Sequence, residues 1–424
     1  MSKERHPEKM TTSRQYDIVL LGATGYTAGY VAEYIMTASL SNLHWAIAGR
    51  DANKLERLRG KLAELDSSGS KPAIELVNIN LDDDLSTLVS RTKVLINAIG
   101  PYTCHGEPVL SACAENGTSY VDFCTETPWL EEMITKYSKI AKRRSARIVP
   151  AIGNSSSPSS LVAYLLAKRY HETHKKAVEN ITCSYSLKIN GMSAGSLSSV
   201  LKVVERYGVG PLLFPNPYRL CSSRENPSRP EPKKGLFLGH HRDELLGHLT
   251  TSLASPGNEA VVYRSQKLQP SIYGGDGEEG KTIPWSYREF MPASSTGSAI
   301  MIHVVTKILV FLLFFRPVCA LISLLKPVNG TGPSKEDSQN EKIEVKAVTG
   351  NDHKLMARYS FNGSMYFHSA MLAAEAAMVL LSIWDVDEQW TDDVGYGVLT
   401  PSCLGMPFVE RLKKAGVDIE VYTS

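Results

Sequence analysis

The sequence predicts an α/β protein whose N-terminal part is a doubly wound parallel sheet, and three observations carry that reading. Short β-branched runs alternate with amphipathic stretches at a steady interval from Tyr16 to about residue 158. The apolar run YDIVLL leads directly into a glycine cluster and then into a helical stretch. Beyond Pro158 the alternation stops, and 424 residues exceed what one hydrophobic core usually organises, so a second domain is expected.

In chain order, residues 1–15 are charged and polar without an apolar centre. They read as a disordered N-terminus rather than a secretory signal, and synthesis is expected to end in the cytosol. Strands are predicted at residues 17–21, 44–48, 74–79, 94–98, 119–123 and 148–152. Helices are predicted at 27–38, 51–65, 83–90, 107–115 and 128–143, long enough to cross between parallel strands. Residues 16–158 therefore form the first domain, and residues 159–424 the second.

The second domain opens with an amphipathic helix at 159–170, a strand at 180–189 and a helix at 196–207, followed by a Pro-, Arg- and Ser-rich loop at 215–234. Residues 298–326 hold two apolar runs separated by Arg316-Pro317, with His303 and Lys307 inside the first. A spanning helix needs about 20 largely uncharged residues, so the better reading is an interfacial or re-entrant helical pair, kinked at Pro317, with Lys307, Arg316 and Lys326 reaching headgroups. A buried helix or an oligomer contact is the alternative. Residues 327–341 are polar and punctuated by Gly and Pro, which predicts an exposed linker. Strands at 342–348 and 354–361, an Ala-rich helix at 369–383, a helix at 407–415 and a strand at 418–422 complete the chain.

Composition excludes several classes of function. Forty-six basic and 44 acidic residues leave a net charge of +2, which does not suggest a nucleic-acid partner. Seven scattered cysteines with no CxxC pair point to reduced, mostly buried thiols and to neither a disulfide frame nor a metal site.

The chemistry begins at Gly22-Ala23-Thr24-Gly25-Tyr26-Thr27, with Gly29 beyond. Strand before and helix after make this a dinucleotide-binding turn of the Rossmann type. Gly22 allows the tight turn, Gly25 admits a pyrophosphate, and Gly29 lets the helix lie close to the sheet. The second strand ends in Ala-Gly-Arg50, where an NAD site would present an acid. Arg50, helped by Lys54, instead offers charge to a 2′-phosphate, favouring NADP(H) over NAD(H). Arg50 as a solvated residue beside an Asp51 N-cap is the alternative. The fourth strand runs into Asn97, Ala98, Gly100, Pro101 and Tyr102, a loop at the functional edge of the sheet, with His105 following on the same loop. Tyr102 and His105 are the candidate proton donors; an ordinary loop histidine is the alternative for His105. Asp122 and Glu126 flank the end of the fifth strand, where Asp122 either positions a ribose or caps the next helix.

The stretches GATGYT, WAIAGR, NAIGPYTCHGEPVLSACAENGTSYVDFCTET and LTPSCLG together resemble the saccharopine dehydrogenase-like oxidoreductases, a family that includes mycobacterial trans-acting enoyl reductases. The likeness covers most of the chain and is densest before residue 158. It implies a Rossmann domain joined to an α/β domain with a mixed sheet, and a hydrophobic segment linked to membranes or lipid droplets. One departure stands out: where the family reads GFDSxPSD, this chain has Ser155 and Ser160 at the two aspartate positions.

The resulting expectation is an NADPH-dependent reductase, enoyl or keto, of a lipophilic acyl or polyketide-like substrate, free or bound to an acyl carrier. It would sit on the cytosolic face of the endoplasmic reticulum or a lipid droplet, or else in the cytoplasm, and a homodimer is one assembly open to it. A saccharopine-type amino-acid dehydrogenase, drawing on Arg206, Arg219, Arg224 and Arg229, is one alternative. A membrane-associated cofactor-binding protein without turnover is the other.

Overall fold

In the computed structural model, residues 14–38, 43–65, 71–221, 238–273, 285–324, 327–328, 330–350, 354–384 and 395–423 are described. The first part alternates strictly. Its elements are β1 (Tyr16–Leu21), α1 (Tyr26–Thr37), β2 (Trp45–Gly49), α2 (Ala52–Ala63), β3 (Ala73–Leu76), α3 (Asp82–Ser90), β4 (Thr92–Asn97), α4 (Tyr102–Asn116), β5 (Ser119–Asp122), α5 (Thr127–Arg143) and β6 (Arg147–Val149). Ile18 to Leu21 and Val94 to Ile96 are fully buried, as in strands covered on both faces by helices.

The remainder comprises α6 (Ser156–His174), β7 (Asn180–Lys188), α7 (Ala194–Tyr207), α8 (Gly210–Leu213), β8 (His240–Asp243), β9 (Gly247–Thr250), α9 (Ser255–Leu268), β10 (Ser286–Ala293), α10 (Thr296–Leu312) and α11 (Arg316–Leu324). After these come β11 (Lys342–Thr349), β12 (Leu355–Asn362), α12 (Met365–Ser382), β13 (Gly397–Val398), α13 (Gly405–Lys414) and β14 (Asp418–Thr423).

Two seven-stranded sheets result, with orders β13-β6-β5-β4-β1-β2-β3 and β14-β12-β11-β7-β10-β9-β8. Every pairing in the first is parallel. The second is mixed: β7 and β10 run parallel and the other pairs antiparallel. The predicted doubly wound sheet with a mixed second sheet is thus the observed fold. Strand order reverses between β1 and β4, and ligands in open α/β sheets gather at the carboxyl ends beside such a switch point.

Several boundaries move. The first sheet does not close with residue 158, because β13 returns to pair with β6, the Gly397 amide bonding Ala146 O at 2.9 Å and Leu399 N bonding Ile148 O at 2.7 Å. A strand of two residues has no periodicity to read. The Ala-rich α12 also packs on this half, against α1, β4 and β5, where its small side chains allow close approach. It is long and apolar enough to cross a bilayer, yet 67% of its apolar window is buried in the protein.

The expected disordered N-terminus lies outside the described residues up to position 13. Arg14 is ordered, its guanidinium donating to Val89 O at 2.9 Å and Asn116 O at 2.7 Å. Residues 222–234 of the expected loop also lie outside the described residues. Residues 330–341, expected to be an exposed linker, are mostly exposed as expected but are docked on the protein, with Ser338 and Glu341 buried.

The apolar segment forms two helices bent by 96°, as expected of a broken pair. The break falls at residues 313–315, and Pro317 occupies the second position of α11, where its missing N–H costs nothing. Met301, Ile308, Leu309, Phe311, Phe314 and Leu321 are each about half exposed or more. All seven cysteines are free, and Cys113, Cys124, Cys183 and Cys403 are buried.

Candidate functional site

The glycine turn joins β1 to α1 at the switch point. Gly22 has φ +79°, and a Cβ there would lie 2.7 Å from Ile99 Cγ1 and 3.2 Å from the Ala98 carbonyl carbon, so only glycine fits. Its amide and that of Ala23 both donate to Ala48 O, at 2.9 and 3.2 Å, which ties the turn to the end of β2. A Cβ on Gly25 would sit 3.2 Å from Gly22 O, a tight approach. The role expected of Gly29 does not hold: a side chain there would meet nothing within 4 Å, so close helix–sheet packing is not its reason.

No side chain caps α1 and its first turn holds no acid. Some helices do carry such a cap, Asp51 accepting from Lys54 N at the head of α2 and Ser193 from Ser196 N at α7, whereas α3, α5, α6, α9 and α13 lack one as α1 does. An uncapped helix N-terminus behind a glycine cradle, with amides facing outward and a favourable dipole, fits a pyrophosphate. The Gly22, Ala23 and Gly25 amides are already bonded within the turn, so the amides of Thr24, Tyr26 and Thr27 would hold it.

Arg50 follows β2 at the same edge, exposed, and among the described residues no bond to it is found. Asp51 is the N-cap that the alternative reading called for. Lys54 Nζ lies 3.9 Å from Asp51, so Lys54 is drawn toward its own cap while Arg50 stays open.

The loop after β4 is built differently from the expectation. Asn97 donates to Tyr120 OH at 3.1 Å and accepts from Ile99 N at 3.0 Å. The Tyr120 hydroxyl donates to Asp122 at 2.7 Å, and the same carboxylate accepts from Cys124 N and Ala151 N, both at 2.9 Å. These side chains are fully buried and stitch the ends of β4, β5 and β6 together. Asp122 therefore has no oxygen turned to a ribose, and burial pushes its carboxyl up to about 6. Asn97 likewise shapes the loop from within, and the Ala98 amide is bonded to Leu21 O at 2.9 Å.

Tyr102 is corrected too. Its buried hydroxyl donates to Asn97 O at 3.0 Å and accepts from Phe123 N at 3.1 Å, so its proton is already committed inside the protein and does not face a substrate; burial raises its pKa well above the usual phenol range. Helix α4 begins at Tyr102, five residues earlier than predicted, with Pro101 as its N-cap residue. The cause is Glu126, which accepts from Tyr102 N at 2.9 Å and Thr103 N at 2.6 Å and so caps α4 from another part of the chain. His105 consequently lies on the helix rather than a loop, with an exposed side chain.

The junction at residues 151–160 carries two polar systems that sequence reasoning missed. Asn154 bonds the buried His368 ring, whose other nitrogen meets Tyr359 OH at 2.7 Å; burial holds this imidazole neutral, pushed down to about 3. Ser155 donates to Asn258 Oδ1 at 2.9 Å, and the Asn258 amide donates to Glu289 at 2.6 Å. Tyr287 OH also bonds Glu289, at 2.9 Å, and burial pushes this carboxyl up to about 7. Ser160 is buried and accepts from Ser402 N at 3.3 Å. Nothing in the local pattern around Asn258 or Glu289 marks them, because the bonds that join Ser155, Asn258 and Glu289 span 103 and 31 residues. The far wall of the site is α7, whose Ser199 comes within 4.0 Å of a Cβ built on Gly100.

Comparison with known proteins places this geometry. The model of the saccharopine dehydrogenase NADP binding domain matches residues 18–183. A protein named trans-acting enoyl reductase from Mycobacterium tuberculosis (strain ATCC 25618 / H37Rv) is 30% identical over 420 residues, covering 95% of this chain and 97% of the other. One of the same name from Mycobacterium ulcerans (strain Agy99) is 28% identical over 424 residues, covering 96% and 98%. Among solved structures, the homospermidine synthase of Legionella pneumophila in complex with NAD aligns over 97% of this chain and 92% of its own, with a TM-score of 0.52 at 10% identity, a likeness of fold. With the glycine turn of Gly22 and Gly25 inside the matched region and similarity running the whole length, the chain belongs to the saccharopine dehydrogenase family of NAD(P)-dependent oxidoreductases.

Proposed function

We propose that this protein is an NADPH-dependent reductase of an activated double bond in a lipophilic acyl or polyketide-like substrate, free or carried on an acyl carrier. The observation that carries the reading is the similarity, over nearly the whole chain, to proteins named trans-acting enoyl reductase. Arg50, open at the end of β2, supports the phosphorylated cofactor over NADH.

The bound nicotinamide supplies the hydride. The protein's part is to seat the pyrophosphate on the uncapped head of α1, to fix the loop after β4 through the buried Asn97–Tyr120–Asp122 network, and to keep water out between the two sheets. Of the two expected proton donors, His105 retains an accessible ring and is the one we retain.

The exposed face of α10 and α11 supports a membrane or lipid-droplet surface as partner. From Thr296 to Leu324 there is no acidic residue, while Lys307 and Arg316 supply positive charge beside the apolar side chains.

A saccharopine-type substrate, multiply charged, would need an open basic cleft. Arg206 is paired with Glu132 and Arg219 with Glu131, both at 2.7 Å, while Arg224 and Arg229 lie outside the described residues. The neutral reading is therefore the better supported. Purified protein incubated with NADPH and a panel of enoyl and keto acyl thioesters tests it: oxidation of NADPH with an enoyl thioester is expected, and inertness toward the whole panel, with NADPH binding intact, overturns it in favour of a cofactor-binding protein without turnover.

A further inference from the structure

Residues 330–341 pack on α1 from its first residue, Tyr26, immediately beyond the glycine turn, and are also held from the opposite side. On the dinucleotide side, Tyr26 OH donates to Pro333 O. Gly332 packs so closely on the Tyr26 ring that a Cβ there would come within 2.5 Å of it. Lys335 pairs with Glu33 of α1 at 2.8 Å. On the opposite side, Ala194 N at the head of α7 donates to Thr331 O at 3.2 Å. Glu341 accepts from Asn190 N at 2.9 Å and from Met365 N, at the head of α12, at 2.7 Å. The Tyr26 ring also meets the Tyr366 ring edge-on at 4.9 Å, and Tyr366 OH accepts from Ser193 N at 2.6 Å.

Tyr26 is thus the first residue of α1, where amides for a pyrophosphate would lie, and its side chain is pinned between this segment and Tyr366 at the head of α12. Its neighbour Gly332 is explained by that contact: the site of closest approach has no room for a side chain. We propose that residues 330–341 are a clasp over the dinucleotide site, and that NADP(H) leaves only when Gly332 and Pro333 part from Tyr26. The proposal concerns cofactor exchange and holds whatever the reducible substrate is. Opening breaks one hydrogen bond and the packing of Gly332 on the Tyr26 ring, and the flanking anchors at Glu341 stay in place, so the motion is local and reversible.

The test uses the full-length chain and the rate of NADPH release, followed by the change in NADPH fluorescence when excess unlabelled NADP is added as a chase. Gly332→Ala and Gly332→Leu drive the segment progressively off the Tyr26 ring. Release is expected to speed up in that order, by roughly tenfold for alanine, the factor for losing about one hydrogen bond and one ring contact. In a Tyr26→Ala background release is already fast and no longer depends on residue 332. Hydrogen exchange at residues 330–335 reports opening independently of cofactor, and is expected to rise in both Gly332 variants. Equal release rates across glycine, alanine and leucine overturn the proposal. So does a residue-332 effect that persists undiminished when the Tyr26 ring is gone.

Discussion

Glu126 sits at the N-cap position of α5 yet caps α4: its two carboxylate oxygens take the amides of Tyr102 at 2.9 Å and Thr103 at 2.6 Å. The group is 2% exposed, so neither amide has water to turn to if it is removed. Glu126→Ala should cost about 1–3 kcal/mol in a urea titration. A loss below the error of the titration would mean that α4 finds another cap.

Gly22 tests the cradle. With φ +79° and Ile99 and the Ala98 carbonyl behind it, Gly22→Ala strains the turn and pushes it toward the ligand. NADPH affinity, measured by calorimetry, should fall about tenfold or more, while the far-ultraviolet circular dichroism of the fold is kept. Gly29→Ala, with open space around the position, should bind as the parent does.

Arg50 is the place to test the cofactor preference. If it holds the 2′-phosphate, Arg50→Ala weakens NADPH by about 1.5–3 kcal/mol, the range for a charge-assisted hydrogen bond, and leaves NADH unchanged. A ratio of the two affinities that does not move removes Arg50 from the site.

Glu289 should make stability depend on pH. Burial raises its folded pKa to about 7, above the unfolded value of about 4.3, so the folded chain binds this proton more tightly than the unfolded one. Its contribution is complete below the unfolded value and is lost as pH rises through about 7. Glu289→Gln imitates the protonated acid. Relative to that variant, the parent should lose roughly 3–4 kcal/mol between pH 4 and pH 8 in urea titrations. Asp122, raised to about 6, contributes a slope of the same sign in both proteins. Parallel profiles would show that Glu289 does not titrate in this range.

The helix pair can be tested on anionic vesicles. Flotation should recover the full-length chain, and Ile308→Glu with Phe311→Glu, both on exposed positions, should abolish recovery without lowering thermal stability. Equal recovery of parent and double variant, or none of either, argues against a lipid surface for this face.

The local code of the N-terminal half was legible from the residues themselves. Strand–glycine–helix order, the steric need at Gly22 and Gly25, and the missing acid at Arg50 are properties of contiguous residues, and helix and strand periods repeat often enough there to be read. The same holds for the break before Pro317, since a proline acts on its own backbone. Side-chain roles were not legible in this way. Tyr102 and Asp122 looked like chemistry at the end of strands, and only the folded chain shows their polar atoms already spent on Asn97, Phe123, Tyr120 and Ala151. Glu126 as the cap of α4, β13 as an edge strand, the chain from Ser155 through Asn258 to Glu289, and Gly332 against Tyr26 join residues from 23 to 306 positions apart. A hydrogen bond or a ring contact is decided by where two groups meet in space, and sequence spacing carries that information only within a turn or two of the same element. The amino-acid sequence by itself therefore determined the fold class and the glycine turn that opens it, and the tertiary structure decided which polar groups beside that turn remain free.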